Sequence, residues 1–145
     1  MANSALSERV KPVFSRSTVV TASDFFEGLL AAAKLRGIET LSVWDDKFDQ
    51  SVSEAFLRLQ EIASSRGYSL PFRIRTNPTH GDSAGVKNAI AKAVYKGYAS
   101  LDNPRFITLR IKLTESESET LLEKKPLDKN DYNELLNIVL KGIGR

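Results

Sequence analysis

The chain has 145 residues, 41% of them hydrophobic and 27% charged, with no cysteine and a formal net charge of +3. That balance suits one globular domain with a buried core rather than a disordered chain and excludes a disulfide scaffold, thiolate chemistry and cysteine-ligated zinc; no apolar run approaches the roughly 18 residues of a membrane span. The charge is concentrated: residues 66–113 carry nine basic side chains against Asp82 and Asp102, a net +7, while 1–65 and 114–145 each stand at −2.

Residues 1–12 are polar, lack the apolar stretch of a secretory signal and end at Pro12, so a flexible arm and a cytoplasmic location are expected, followed by one domain over 13–145. Arg9, Lys11 and Arg16 add cations there. A first helix is expected from an N-cap at Ser23 or Asp24, because Phe26, Leu29, Leu30 and Ala33 recur at helical spacing and Gly37 suits its end. A short strand over 40–44 follows, reaching Trp44. Ser51 and Glu54 then have the spacing of a capping box, ahead of a helix that buries Val52, Phe56, Leu59, Ile62 and Ala63 and stops at Gly67.

Residues 70–76 alternate Leu70, Phe72 and Ile74 with Arg73 and Arg75, which predicts a second strand. A loop over 77–85, rich in Pro, Gly and Asp, leads to a helix over 86–95 whose N-cap is supplied by Asp82 or Ser83. The pattern over 105–113 predicts the clearest strand, with Ile107, Leu109, Ile111 and Leu113 inward and Thr108, Arg110 and Lys112 outward; 97–101 pairs with it through a turn at Asp102, Asn103 and Pro104. Thr114 and Glu117 form another capping box, and Pro126 terminates that helix. The last helix, over 128–143, carries Tyr132, Leu135, Leu136, Val139, Leu140 and Ile143 on one stripe, opposite Asn133, Glu134, Asn137 and Lys141. That stripe either docks on the core or mediates homo-oligomer formation. The order of elements predicts an α+β (or α/β) fold, a single domain with a small mixed sheet of three to four strands and four to five helices.

The strand at 105–113 followed by two helices resembles the ribbon-helix-helix DNA-binding fold over roughly the last forty residues. The resemblance implies outward strand residues in a major groove. It departs at the second helix, where Asp128 and Asp131 would face phosphates, so no residue roles are carried over.

A basic middle attracts polyanions and speeds their encounter. On the helix at 86–95, Val86, Ile90, Ala93 and Val94 fall on one side and Asn88, Lys92, Tyr95 and Lys96 on the other. Ammonium groups suit phosphates, and a tyrosine ring suits a sugar or base. Together with Arg73, Arg75, Lys87, Arg110 and Lys112, this predicts a DNA- or RNA-binding surface with no chemistry of its own, no metal and no cofactor. Tyr68 and Tyr98 are further aromatic candidates, whereas Trp44, Phe25, Phe26, Phe56, Phe72 and Phe106 are expected in the core. The loop before residue 86 has the strand–loop–helix order that presents amides to an anion, but neither a Walker A nor a dinucleotide fingerprint. Two alternatives stand beside this reading. Asp45, Asp46 and His80, with Asp49 and Asp82 nearby in sequence, sketch a metal-dependent phosphoesterase or nuclease that uses the first three. The basic patch also suits a structural or adaptor subunit that binds an acidic protein partner.

Overall fold

The structure, a computed structural model, describes residues 18–43, 45–101 and 107–145. The expected arm at 1–12, Arg16, Trp44, the turn at Asp102, Asn103 and Pro104, and Arg105 with Phe106 lie outside the described residues. Along the chain run α1 (Ala22–Leu35), β1 (Thr40–Ser42), α2 (Asp46–Arg66), α3 (Ala84–Tyr95), β2 (Ala99–Ser100), β3 (Thr108–Ile111), α4 (Glu115–Glu123) and α5 (Lys129–Gly142). Among the described residues, five helices and a three-stranded antiparallel sheet make a small single-domain α+β fold. No helix among the described residues is long and apolar enough to cross a membrane.

Local chemistry sets the helix starts, and twice it differs from the sequence expectation. The N-cap of α1 is Thr21, two or three residues before the expected position. Its hydroxyl accepts the Asp24 amide at 3.1 Å, while the Asp24 carboxylate accepts the Thr21 amide at 3.0 Å, so Asp24 closes the box from inside the helix. The expected box at Ser51 and Glu54 is not a helix start. Asp45 caps α2 by accepting the Lys47 amide at 3.0 Å, and Ser51 is buried in the second turn, donating to the Lys47 carbonyl at 2.6 Å. Ser51 serves close packing instead: a Cβ added at Gly142 of α5 would fall 1.9 Å from its hydroxyl. Thr114 and Glu117 do form the box that opens α4, and Ser83 is the N-cap of α3.

The core gathers the apolar stripes of α1, α2 and α5 with the inner face of the sheet. Tyr132, Leu135, Leu136, Val139 and Leu140 are buried within the chain, and Ile143, the last residue of the expected stripe, is half-buried against the core. The Tyr132 ring lies against Gly28, where any Cβ would meet it at 2.1 Å, and its hydroxyl donates to the Asp24 carbonyl at 2.8 Å. Burial pushes that phenol above its usual pKa. Phe25, Phe56 and Phe72 form an aromatic cluster with ring centroids 5.1–6.2 Å apart.

The sheet order is β1–β3–β2, with Leu41 opposite Leu109 and Ala99 opposite Ile111. Leu109, Ile111 and Leu113 are buried and Arg110 and Lys112 exposed, as the alternation predicts, but Ile107 is exposed. Because β3 is paired along both edges, it has none left for the second copy that a ribbon-helix-helix ribbon requires. The expected strand over 70–76 does not join this sheet. Only Ser69 makes a bridge, parallel to Val19, with Ser69 N donating to the Thr18 carbonyl at 2.7 Å and Val20 N to the Ser69 carbonyl at 2.9 Å. Beyond it Pro71 has no N–H to give a ladder, and the extended chain is flanked by α2 and α3 rather than by strands. Ile74 points inward from it, while Arg73 and Arg75 point to solvent.

Candidate nucleic-acid interface

Three of the nine basic side chains are neutralised by acids that the fold buries. Arg66 donates two hydrogen bonds to Asp131, at 2.7 and 2.8 Å, and this pairing holds the Asp131 carboxyl below its ordinary range and raises the guanidinium. Lys87 sits 3.3 Å from Asp49, a buried residue of α2 that also accepts the Ser83 amide at 2.7 Å. Lys96 donates to Glu27 at 2.5 Å, which raises its pKa. Glu27 is buried on α1 and also receives Lys125 at 2.9 Å; Lys125 reaches Asp24 at 3.2 Å. Burial presses the Asp24 carboxyl upward, but the Thr21 amide and Lys125 outweigh it and leave the pKa lowered.

Arg73, Arg75, Lys92, Arg110 and Lys112 are exposed and form no ion pair with another described residue. The first three are brought together. A cavity of about 180 Å³ opens between the start of α1, residues 72–74 and α3, and Ser23, Glu27, Arg73, Asn88 and Lys92 line it. On the other side of the same segment a second cavity, about 280 Å³, is lined by Ser53, Leu57, Gln60, Arg73 and Arg75. Residues 73–75 are thus a ridge with Arg73 on both flanks. The ridge runs beside the start of α3: a Cβ added at Gly85 would lie 3.4 Å from the Arg73 carbonyl, ordinary van der Waals contact. On its other flank Ser53 donates to the Ile74 carbonyl at 3.5 Å.

Asn88, Lys92 and Tyr95 follow at i, i+4 and i+7 and so share one face of α3. Tyr95 is 92% exposed. The two further aromatic candidates are engaged and half-buried: Arg66 lies over the Tyr68 ring at 5.8 Å and Lys96 over the Tyr98 ring at 5.9 Å. Of the nine residues expected at the interface, the structure therefore joins Arg73, Arg75, Asn88 and Lys92 around two adjoining cavities, with Tyr95 one turn further along. Lys87 and Lys96 are committed to buried acids. Arg110 and Lys112 stand on the outer face of the sheet and line neither cavity.

The loop before α3 is tied to itself rather than open to an anion. The Asn77 side chain accepts the Thr79 and His80 amides at 2.8 and 3.0 Å, Gly81 N donates to the Asn77 carbonyl at 2.7 Å, and the Ser83 amide is taken by Asp49. Gly81 adopts φ +78° and packs on the first turn of α2, where a Cβ would meet Gln50 at 2.9 Å and Asp46 at 3.0 Å. Asp45 serves as the α2 cap, and among the described residues no group of three or more His, Asp or Glu is placed to hold a metal ion. The metal-dependent alternative gains no support from this geometry.

Sequence reasoning missed Glu27 and grouped Asp49 with candidate metal ligands; these two acids decide whether Lys96 and Lys87 remain available. Glu27 did leave a signal: a carboxylate inside the apolar run Phe25–Ala33 needs a cation once that run is buried. No protein-family model, curated protein or solved structure matches the chain.

Proposed function

We propose that the protein binds nucleic acid through its phosphates, with Arg73, Arg75 and Lys92 as the contacting cations and Asn88 as a hydrogen-bond donor between them, and that it does so without chemistry of its own. The observation that carries this reading is the convergence of Arg73 and Lys92 on one cavity, neither with a counter-ion among the described residues. Two cations held near each other repel, and a ligand phosphate relieves that repulsion. Arg110 and Lys112 extend the positive field over the sheet and assist encounter rather than contact.

Binding to a labelled duplex and to a single strand, measured from low to physiological salt, tests this. Three contacts predict a log–log slope of about −2.7 on duplex and about −2 on single strands. Arg73→Ala with Lys92→Ala should flatten the slope by about two contacts' worth, whereas Lys87→Ala should leave it unchanged. A slope near zero, or no binding at the lowest salt, overturns the proposal.

A further inference from the structure

Tyr95 is the one large side chain of the site that packs on almost nothing. It ends α3 with 92% of its surface exposed, a poor place for a ring whose burial would otherwise stabilise the fold. Helical side chains lean toward the N-terminus, so the ring lies over Ala91 and Lys92. Ala91 is itself exposed and too small to cover it. Gly97, two residues later in the chain, takes φ +81°, and a Cβ added there would find nothing within 4 Å. Lys92 precedes the ring by three residues, about 4.5 Å along the helix axis, and faces the cavity shared with Arg73. A cation and a free aromatic ring on one face of α3 offer partners for the phosphate and the base of a single nucleotide.

We infer that the ligand is a single-stranded nucleic acid, one base of which stacks on Tyr95 while the neighbouring phosphate sits between Lys92 and Arg73. This rests on the phosphate-binding reading above. A duplex keeps its bases stacked on one another and shows a protein only their edges, so the Tyr95 ring has no face to meet there; a single strand offers every base face. Asn88, beside Lys92 on the same stripe, has donors and an acceptor for the sugar or backbone.

The test uses the full chain with labelled oligo(dT) and oligo(rU) of about 12 nucleotides and a hairpin duplex of similar length. Tyr95→Ala should weaken both single strands about five- to a hundredfold, leave the duplex and the melting temperature unchanged, and be rescued by Tyr95→Phe. Loss on either strand type supports the inference, and the tighter of the two identifies the preferred sugar. If Arg73→Ala with Lys92→Ala weakens binding but Tyr95→Ala changes single strand and duplex equally, or neither, stacking is wrong and the phosphate reading survives. If the wild-type chain binds no nucleic acid at low salt, both fall.

Discussion

Lys92 and Lys96 lie one turn apart, Lys92 in the last turn of α3 and Lys96 as its C-cap, and the fold uses them in opposite ways. Lys96 turns to Glu27 and joins a cluster with Lys125 and Asp24 that fastens α3 and the α4–α5 connection to α1. Lys92 faces a cavity and forms no ion pair with another described residue; Glu27, which lines the same cavity, is held by Lys96 and Lys125. The same contrast divides the molecule. On the α1–α2–α5 side, cations are drawn to buried carboxylates; on the ridge and outer α3 side, they are left to solvent. Desolvation is the reason. A buried carboxylate without a partner is costly, so the nearest flexible cation is recruited to it, whereas an exposed cation is satisfied by water. A count of basic residues therefore overstates a binding surface wherever acids lie beneath it.

The largest effects belong to the fastened side. Leu136 is 1% exposed, at the centre of the α5 stripe, and Leu136→Ala should lower unfolding free energy by about 2–5 kcal/mol through lost transfer and an unfilled cavity. Urea denaturation measures this. Binding per folded molecule should not change, because Leu136 lines neither cavity of the ridge. A loss well below 1 kcal/mol would mean that α5 contributes far less than its burial implies.

A smaller effect couples the two regions. Glu27→Gln keeps the shape of the side chain but leaves Lys96 and Lys125 without their shared counter-ion. Lys125 is only 9% exposed, while Lys96 at 42% can turn to water, so the cost should be about 2–3 kcal/mol, below that of a fully buried broken pair. Removing a negative charge that lines the cavity should also tighten oligonucleotide binding, about threefold at low salt. Stability falling while affinity rises is the expected signature; a fall in both would show that Glu27 helps to hold the site in shape.

How much of this was legible in the sequence depends on what each residue needed to know. The α5 stripe from Tyr132 to Leu140, the Thr114 box and the inward Leu109, Ile111 and Leu113 follow from spacings of three to eight residues and are observed, whereas Ile107 is exposed and Ile143 only half-buried. The strand at 70–76 was misplaced because alternation reports which side chains are inward, not whether a neighbouring strand exists to pair with. Ser51 was misread because a hydroxyl three residues before a glutamate has the same spacing in a cap and in the middle of a long helix; Asp45, six residues earlier, was the stronger cap. Within the site, Arg73, Asn88 and Lys92 were identified by type but their meeting was not, since it depends on residues 72–74 running between α1 and α3 rather than joining a sheet. The withdrawal of Lys87 and Lys96 depends on Asp49 and Glu27, which are 38 and 69 positions away.

Acid weakens the fastened side first. The Asp131 carboxyl is lowered from 3.8, chiefly by the Arg66 hydrogen bonds, and Asp24 is lowered too. A depressed folded pKa gives stability that is fully present above the unfolded value and disappears as pH falls through the folded one. Asp131→Asn should thus cost about 1–2 kcal/mol at neutral pH, discounted because Arg66 is 38% exposed, and the gap from wild type should close below about pH 4. Equal denaturation midpoints at pH 7 would show that the pair, though well formed, adds nothing net.

The finest discrimination compares Lys92→Ala with Lys96→Ala. Both remove one positive charge from neighbouring turns, so a purely diffuse electrostatic effect predicts the same change in binding. The structure predicts different ones. Lys96→Ala exposes Glu27 to partial loss of its counter-ions and should cost about 1 kcal/mol or less, since the pair is partly solvated and Lys125 remains. Its effect on binding should be slight, because Lys96 was already neutralised. Lys92→Ala should leave stability within about 0.5 kcal/mol of wild type, since nothing described depends on that ammonium, yet should flatten the salt slope by close to one contact. Paired denaturation and salt titrations of the two variants read both quantities. Identical slopes would mean that binding follows total charge and that the cavity between Arg73 and Lys92 has no particular role; opposite rankings in stability and slope would place the contact at Lys92.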